Sequence, residues 1–172
     1  MSEDLYQKII SQRNGLAWLT GKMPGFAGYM EMTNRRTADR MIRDHIARQF
    51  KQRHSRLTTI ETQLVSSGGL MHMDATKRVK TKLQTLIDRI ATDAPGYSGF
   101  FAANSMGPDE LEAVYAFDEA MLRYTDDLDT KLDNLESALG DDVAGAIREL
   151  ESLIDEADDA YDLRDDLLGG IA

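Results

Sequence analysis

The chain has 172 residues, of which 42% are hydrophobic and 29% are charged, and it contains no cysteine. This length and composition predict one domain over residues 1–172, and the absence of thiols excludes disulfide bonds, thiolate metal sites and cysteine nucleophiles. The formal net charge of −10 is unevenly distributed, because residues 1–93 carry 16 Lys and Arg against 9 Asp and Glu, whereas residues 94–172 carry 4 against 21.

Five helices are predicted in chain order. The first is expected over residues 3–20, because Ser2 is a suitable N-cap and acidic side chains follow it at the positive end of the helix. The others follow from apolar residues spaced three and four apart and from glycine or proline at their ends, and they are predicted over residues 33–67, 74–92, 108–139 and 142–168. Short connections make successive helices antiparallel. The sequence therefore predicts an all-α, up-down helical bundle with two or three long coiled-coil-like helices.

The last two predicted helices have the most regular apolar pattern. The fourth carries nine consecutive heptad positions, of which seven are apolar: Leu111, Val114, Asp118, Met121, Thr125, Leu128, Leu132, Leu135 and Leu139. The fifth continues the same spacing and includes Arg164. These positions predict coiled-coil-like packing with a few inward polar side chains. We expect Arg53, from the second helix, to pair with Asp118 and so to fix helix register.

Two similar segments interrupt the helix-forming sequence. Residues 24–29 read PGFAGY and residues 95–100 read PGYSGF, so each follows the pattern proline, glycine, aromatic, small, glycine, aromatic. The up-down topology places both segments at one end of the bundle. Their aromatic rings either seal that end of the core or form loops on which a partner docks. The candidate docking residues are Phe26, Tyr29, Tyr97, Phe100 and Phe101.

A strip of cations is predicted on the second helix, largely opposite its apolar stripe on a helical wheel. Its members are Arg36, Arg40, Arg43, Arg48 and Lys51. One interpretation is a solvated face, or one that pairs with the acidic fourth and fifth helices. The other is a binding surface for anionic lipid head groups or an acidic protein. Nucleic acid is disfavoured, because no aromatic residues alternate with the arginines and the chain is acidic overall.

No catalytic or metal-binding motif is present. The sequence lacks G-x-S-x-G, the P-loop and G-x-G-x-x-G, and it lacks the Glu-x-x-His pairs of di-metal bundles. The acidic residues between 126 and 166 lack the spacing of a calcium loop. We therefore predict no catalytic residue, no cofactor and no metal. An enzyme or metal protein with an unfamiliar site in the bundle core is kept as an alternative.

Two blocks of sequence resemble a family of small, uncharacterised bacterial helical proteins. The first is Gly28-Tyr29 followed by Arg35-Arg36-x-x-Asp39-Arg40, and the second lies between Leu86 and Asp118 and contains GYSGFF at residues 96–101. In that family an acidic residue usually follows Gly-Phe-Phe, whereas two alanines follow here. The resemblance implies a helical bundle without a known activity. It also implies a loose association with phage-shock and band-7 genes of membrane stress.

These observations predict a non-enzymatic helical scaffold or adaptor that acts through protein–protein contacts at an anionic membrane surface, in an envelope-stress response. A self-assembling coiled-coil structural protein is the main alternative. No segment approaches the roughly 20 apolar residues of a membrane span, and the first four residues do not resemble a signal peptide. We therefore expect a cytoplasmic location, peripheral to the inner face of the membrane.

Overall fold

The computed structural model describes residues 2–23, 35–93 and 107–169, and within them the regular structure is helical throughout. The six α-helices are α1 (Ser2–Ser11), α2 (Leu16–Lys22), α3 (Arg35–Ser66), α4 (Met73–Thr92), α5 (Pro108–Ser137) and α6 (Val143–Gly169). A short 3-10 helix (Leu70–His72) lies between α3 and α4. The prediction of an all-α bundle is confirmed, and the four long helices begin and end within two residues of their predicted limits.

The prediction of a single helix over residues 3–20 is wrong, because the chain turns between α1 and α2. Gly15 adopts a φ of 85°, in the left-handed region that costs other residues about 1–2 kcal/mol. Its carbonyl then accepts the N–H groups of Trp18 and Leu19, at 3.1 and 3.4 Å, and so starts α2. The turn allows both short helices to follow the surface of the bundle, with Ile9 of α1 and Leu19 of α2 buried in the core.

The ends of α3 and α5 form as their sequences predict. After α3, the N–H of Gly69 donates to the carbonyl of Leu64 at 2.8 Å, and the N–H of Gly68 donates to that of Val65 at 3.1 Å. This is the Schellman motif, and Gly68 supplies the left-handed conformation that it requires, with a φ of 85°. Pro108 occupies the first turn of α5, where its missing N–H costs no helical hydrogen bond.

The long helices form two antiparallel hairpins, α3–α4 and α5–α6, that pack side by side. The main contacts of α3 are with α4 and α5, and those of α6 are likewise with α4 and α5, so α3 and α6 lie diagonally opposite. Arg53 and Arg56 of α3 pair with Asp129 and Asp133 of α5 in ascending order, which shows that α3 and α5 run parallel. The ion pairs of α4 with α6 ascend in the same way, from Arg78–Glu151 to Arg89–Asp162, so these two helices also run parallel.

The predicted heptad positions of the last two helices form much of the core. From Val114 to Leu135 every one of them is buried on α5, and from Val143 to Leu168 every one is buried on α6. Phe50 of α3 and Leu86 of α4 complete the core from the other hairpin, and neither has measurable exposure. Burial of each such apolar side chain contributes about 1.5–3 kcal/mol to folding.

A matched pair of glycine substitutions tests the turn between α1 and α2. Gly15→Ala should lower the free energy of unfolding by about 1–2 kcal/mol, because alanine resists a positive φ. Gly21→Ala, at a site on α2 with open space around the Cα, should raise it by up to about 1 kcal/mol. Urea unfolding followed by circular dichroism measures both. Changes of the same sign would contradict the turn as described.

Candidate functional site

Ion pairs join the basic hairpin α3–α4 to the acidic hairpin α5–α6 along two lines, which we call the charge seams. The first line links α3 to α5, and the second links α4 to α6. The pairs are Arg53–Asp129, Arg56–Asp133, Arg56–Glu136, Arg78–Glu151, Lys82–Asp155, Arg89–Asp158 and Arg89–Asp162. Packing of the two halves against each other therefore accounts for much of the charge division in the sequence.

Arg53 belongs to the α3–α5 seam and does not pair with Asp118 as predicted. Its Nη2 lies 2.6 Å from Oδ2 of Asp129, and its Nε donates to the carbonyl of Thr125 at 3.2 Å. Thr125, a polar residue among the heptad positions of α5, is buried and donates its hydroxyl to the carbonyl of Leu122. The prediction identified an inward-tending arginine correctly and assigned it the wrong acid.

Glu151 is the central acid of the α4–α6 seam. It accepts two hydrogen bonds from Arg78, at 2.9 and 3.1 Å, and its Oε1 lies 3.0 Å from Nζ of Lys82. The hydrogen bonds from Arg78, followed by that from Lys82, lower the pKa of Glu151 to about 2. Its carboxylate therefore stays ionised, and paired with Arg78 and Lys82, well into acidic solution.

A cluster of four charged side chains lies inside the bundle, between the seams. The Arg164 guanidinium of α6 donates from Nε to Oδ1 of Asp118 at 2.8 Å and from Nη2 to Oδ1 of Asp39 at 2.5 Å. Arg43 donates from Nε to the other oxygen of Asp39 at 2.8 Å and from Nη1 to the carbonyl of Ile90 at 3.1 Å. This buried charge cluster thus connects α3, α4, α5 and α6.

The buried charge cluster fixes the register of the helices more than it adds net stability, because the desolvation of four charges offsets their attraction. Asp118 shows this cost directly. Its Oδ2 is buried without a hydrogen-bond partner in the part of the chain that the structure describes. Burial raises the pKa of Asp118, and the charge of Arg164 opposes that shift.

Glu119 anchors the turn between α1 and α2, and sequence reasoning missed it. Its buried carboxylate accepts the backbone N–H of Asn14 at 2.8 Å and that of Gly15 at 3.3 Å, and it also pairs with Arg123. No local pattern could have identified this role, because Glu119 falls outside the heptad positions and its partners belong to a turn that the sequence did not predict.

The prediction that Arg43 belongs to an outward-facing basic strip is wrong. Only 5% of Arg43 is exposed, and the side chain belongs to the buried charge cluster. The reason is the position of α3 in the bundle. Because α3 packs against both α4 and α5, its buried face is wider than the apolar stripe of Ile42, Ile46 and Phe50 suggests.

Three predicted members of the strip, Arg40, Arg48 and Lys51, do lie exposed on the outer face of α3, and we call them the basic strip. None of their charged groups has a hydrogen bond or an ion pair with a residue in the described ranges. Asp44 lies between Arg40 and Arg48 on the same face without pairing to either. Burial, with a smaller effect from Arg48, lowers the pKa of His45, so this neighbour adds no positive charge at neutral pH.

Other predicted site residues are outside the described part of the chain. The backbone of Arg36 lies in α3, but its side chain is not among those described. The candidate docking residues Phe26, Tyr29, Tyr97, Phe100 and Phe101 also lie outside the described residues. The start of α3, the end of α4 and the first half of α5 do lie together, since the buried charge cluster links them with the last turns of α6.

The described residues form neither a metal site nor a membrane span. Among the described residues, no three His, Asp or Glu side chains are grouped so that they could hold a metal ion. None of the described helices is both long enough and apolar enough to span a bilayer. No protein-family model, curated protein or solved structure matches this chain.

Arginine substitutions on α6 test the buried charge cluster. Arg164→Ala should lower the free energy of unfolding by about 3–5 kcal/mol, because it leaves two buried carboxylates without their shared cation. Arg148→Ala is the matched control, since Arg148 is exposed on the same helix, and its effect should stay within about 0.5 kcal/mol. The double variant Arg164→Met/Asp118→Leu should recover part of the loss. Equal urea midpoints for Arg164→Ala and Arg148→Ala would rule out the proposed role of the cluster.

The pH dependence of stability tests the α4–α6 seam. Because folding lowers the pKa of Glu151 from 4.5 to about 2, its contribution is fully present above pH 4.5 and is lost as the pH falls towards 2. Glu151→Gln should therefore be less stable than the wild type at pH 7, by up to about 1 kcal/mol, and equally stable near pH 2.

Asp159→Asn serves as the control for this pH experiment. Asp159 is an exposed acid on the same helix without an ion pair among the described residues, so its removal should be neutral or slightly stabilising at pH 7. Thermal unfolding across the pH range measures both variants. A Glu151→Gln deficit that persists unchanged at low pH would show that the charge of Glu151 is not its cause.

Proposed function

We propose that the protein is a non-enzymatic helical scaffold or adaptor that acts through contacts with other proteins and is held at an anionic membrane surface by its basic strip. A place in an envelope-stress response, as the family resemblance implies, is proposed with it. The proposed membrane attachment rests on one observation: Arg40, Arg48 and Lys51 are exposed and have no acidic partner among the described residues. Cations on the inner faces of the same hairpin are instead neutralised by the charge seams.

The placement of the acidic residues supports this orientation. Although the chain carries 30 Asp and Glu, the stretch from His45 to Met73 contains a single acid, Glu61. That acid is buried, accepts the hydroxyl of Thr76 at 2.8 Å and pairs with Lys80. The acidic helix α6 lies diagonally across the bundle from α3. The outer face of α3 can therefore approach an anionic surface while the acidic residues of α6 face away from it.

The membrane affinity expected from the basic strip is modest. A Lys or Arg close to an anionic membrane contributes about 1 kcal/mol, and the surface field decays over about 8–10 Å at physiological salt. Three such cations give weak, reversible attachment that salt should disrupt. This behaviour suits a scaffold that is recruited to a membrane and released from it.

The scaffold part of the proposal is supported by the length and the packing of the bundle. The 32 residues of α3 extend over about 48 Å, which provides a long, polar surface for partners. The apolar side chains at the heptad positions of α5 and α6 are buried within the chain, so they are not available for a coiled coil with a second copy. The packing therefore favours an adaptor over the self-assembling alternative.

Co-sedimentation with phosphatidylglycerol-containing vesicles tests the proposal. The wild type should bind at low salt and dissociate at high salt, and Arg40→Glu/Arg48→Glu should weaken low-salt binding by at least about tenfold. The matched control is Lys131→Glu/Arg148→Glu, which changes the net charge equally but on α5 and α6.

Circular dichroism should show the same helix content for all three proteins. Equal weakening by the two double variants would indicate a general effect of net charge, and absence of salt-sensitive binding by the wild type would end the membrane proposal. Saturable binding of a soluble acidic polypeptide, without vesicle binding, would instead identify an acidic protein as the partner of the strip.

A further inference from the structure

An apolar tip is exposed at the end of the α3–α4 hairpin, opposite to the end of α3 that begins at Arg35. The large hydrophobic side chains exposed in the described ranges are Val65, Leu70 and Met71, with relative exposures of 38%, 66% and 85%. All three lie within seven residues of each other, and we call them the apolar tip. Their clustering at one turn distinguishes them from isolated apolar residues on an ordinary surface.

The backbone holds the apolar tip outward. The Schellman motif at Gly68 and Gly69 ends α3, and the N–H of His72 then donates to the carbonyl of Gly69 at 3.0 Å to close the 3-10 turn. Residues 62–73 contain no Asp, Glu, Lys or Arg, in a chain of which 29% is charged. The turn is therefore both ordered and uncharged, and neither property is needed for a simple connection between two helices.

The chemistry and shape of the apolar tip fit a lipid surface better than a protein. A stable protein interface buries about 800 Å² on each partner, which requires far more than three side chains at a turn. A bilayer interface accepts small apolar protrusions, and this one is uncharged over residues 62–73, with Asp74 the first acid after it. Thr62 and Ser66, on the face of α3 that joins the basic strip to the tip, carry hydroxyls, which lipid head groups tolerate.

We infer that the apolar tip inserts Leu70 and Met71 into the interface of an anionic bilayer while the basic strip binds the head groups. This inference rests on the function proposed above and adds a second, apolar contact to it. Stable attachment through a short basic patch generally needs such a second signal. Because α3 extends from one contact to the other, the two contacts together align its outer face with the membrane.

The acidic turn between α5 and α6 restricts the orientation further. Since α3 and α5 run parallel, Asp141 and Asp142 lie at the same end of the bundle as the apolar tip, and both are exposed. An upright molecule would bring these acids against anionic lipid. The tip therefore enters the bilayer with the edge of the bundle formed by α3, and the α5–α6 turn stays in solution.

Two measurements on the 172-residue chain test this inference. Leu70→Ser/Met71→Ser should bind phosphatidylglycerol-containing vesicles at least about tenfold more weakly than the wild type at the same salt concentration. Because the basic strip is intact, its residual binding should remain sensitive to salt. The variant should keep the unfolding midpoint of the wild type, since both side chains are already exposed.

A fluorescence measurement reports insertion directly. In Trp18→Phe/Met71→Trp the single tryptophan lies at the apolar tip, and its emission should shift to shorter wavelength and be quenched by brominated lipid when vesicles are added. The matched control is Trp18→Phe/Ser55→Trp, which places the ring on the outer face of α3 away from the tip. The control should show less quenching.

The outcomes separate the two proposals. If the wild type does not bind the vesicles, the proposed function fails and the insertion of the apolar tip fails with it. If the wild type binds, but the serine variant binds equally well and the tryptophan of Trp18→Phe/Met71→Trp is not quenched, the insertion alone is overturned. The insertion is also overturned if light scattering shows a dimeric wild type and a monomeric serine variant while vesicle binding is unchanged. That result would identify a second copy of the chain as the occupant of the apolar tip.

Discussion

The arrangement of the four long helices depends on the guanidinium of Arg164. It is fully buried, so its charge requires partners, and it obtains one carboxylate from α3 and another from α5. Sliding α5 by a turn would move Asp118 about 5.4 Å away from Arg164 and leave this buried carboxylate without its hydrogen-bonded cation. An apolar core tolerates small changes in register, whereas this cluster does not. The exposed pairs of the charge seams then follow a register that the buried charge cluster has set.

Sequence signals that act locally predicted the fold well. The glycines after α3, the proline that begins α5 and the heptads of α5 and α6 act within one turn or one helix, and each has the predicted effect. The turn at Gly15 was harder to predict. Glycine weakens a helix by about 1 kcal/mol, which neighbouring interactions can outweigh. The break here is stabilised by Glu119, more than 100 residues away in the chain.

The site residues were predicted less well, because their partners depend on which helices are neighbours. Arg53 and Asp118 both interrupt apolar seams, and their charges are complementary. In the parallel packing of α3 and α5, however, Asp118 lies level with Asp39, and Arg53 is 14 residues further along α3, or about 21 Å. Asp129 is the acid at the level of Arg53. The apolar pattern of α3 or of α5 alone does not specify how far one helix is shifted along the other.

The distribution of charge also determines how the molecule presents itself to an anionic surface. Neutralisation along the charge seams leaves α3 with cations on its outer face, while the remaining excess of acid lies on α5 and α6. At long range the net charge of −10 opposes approach in most orientations. Within a Debye length the nearest face dominates, so approach through the basic strip on α3 is attractive. Under the proposed function, attachment to the membrane would be weak but strongly oriented, and orientation is what a scaffold would require of its anchor.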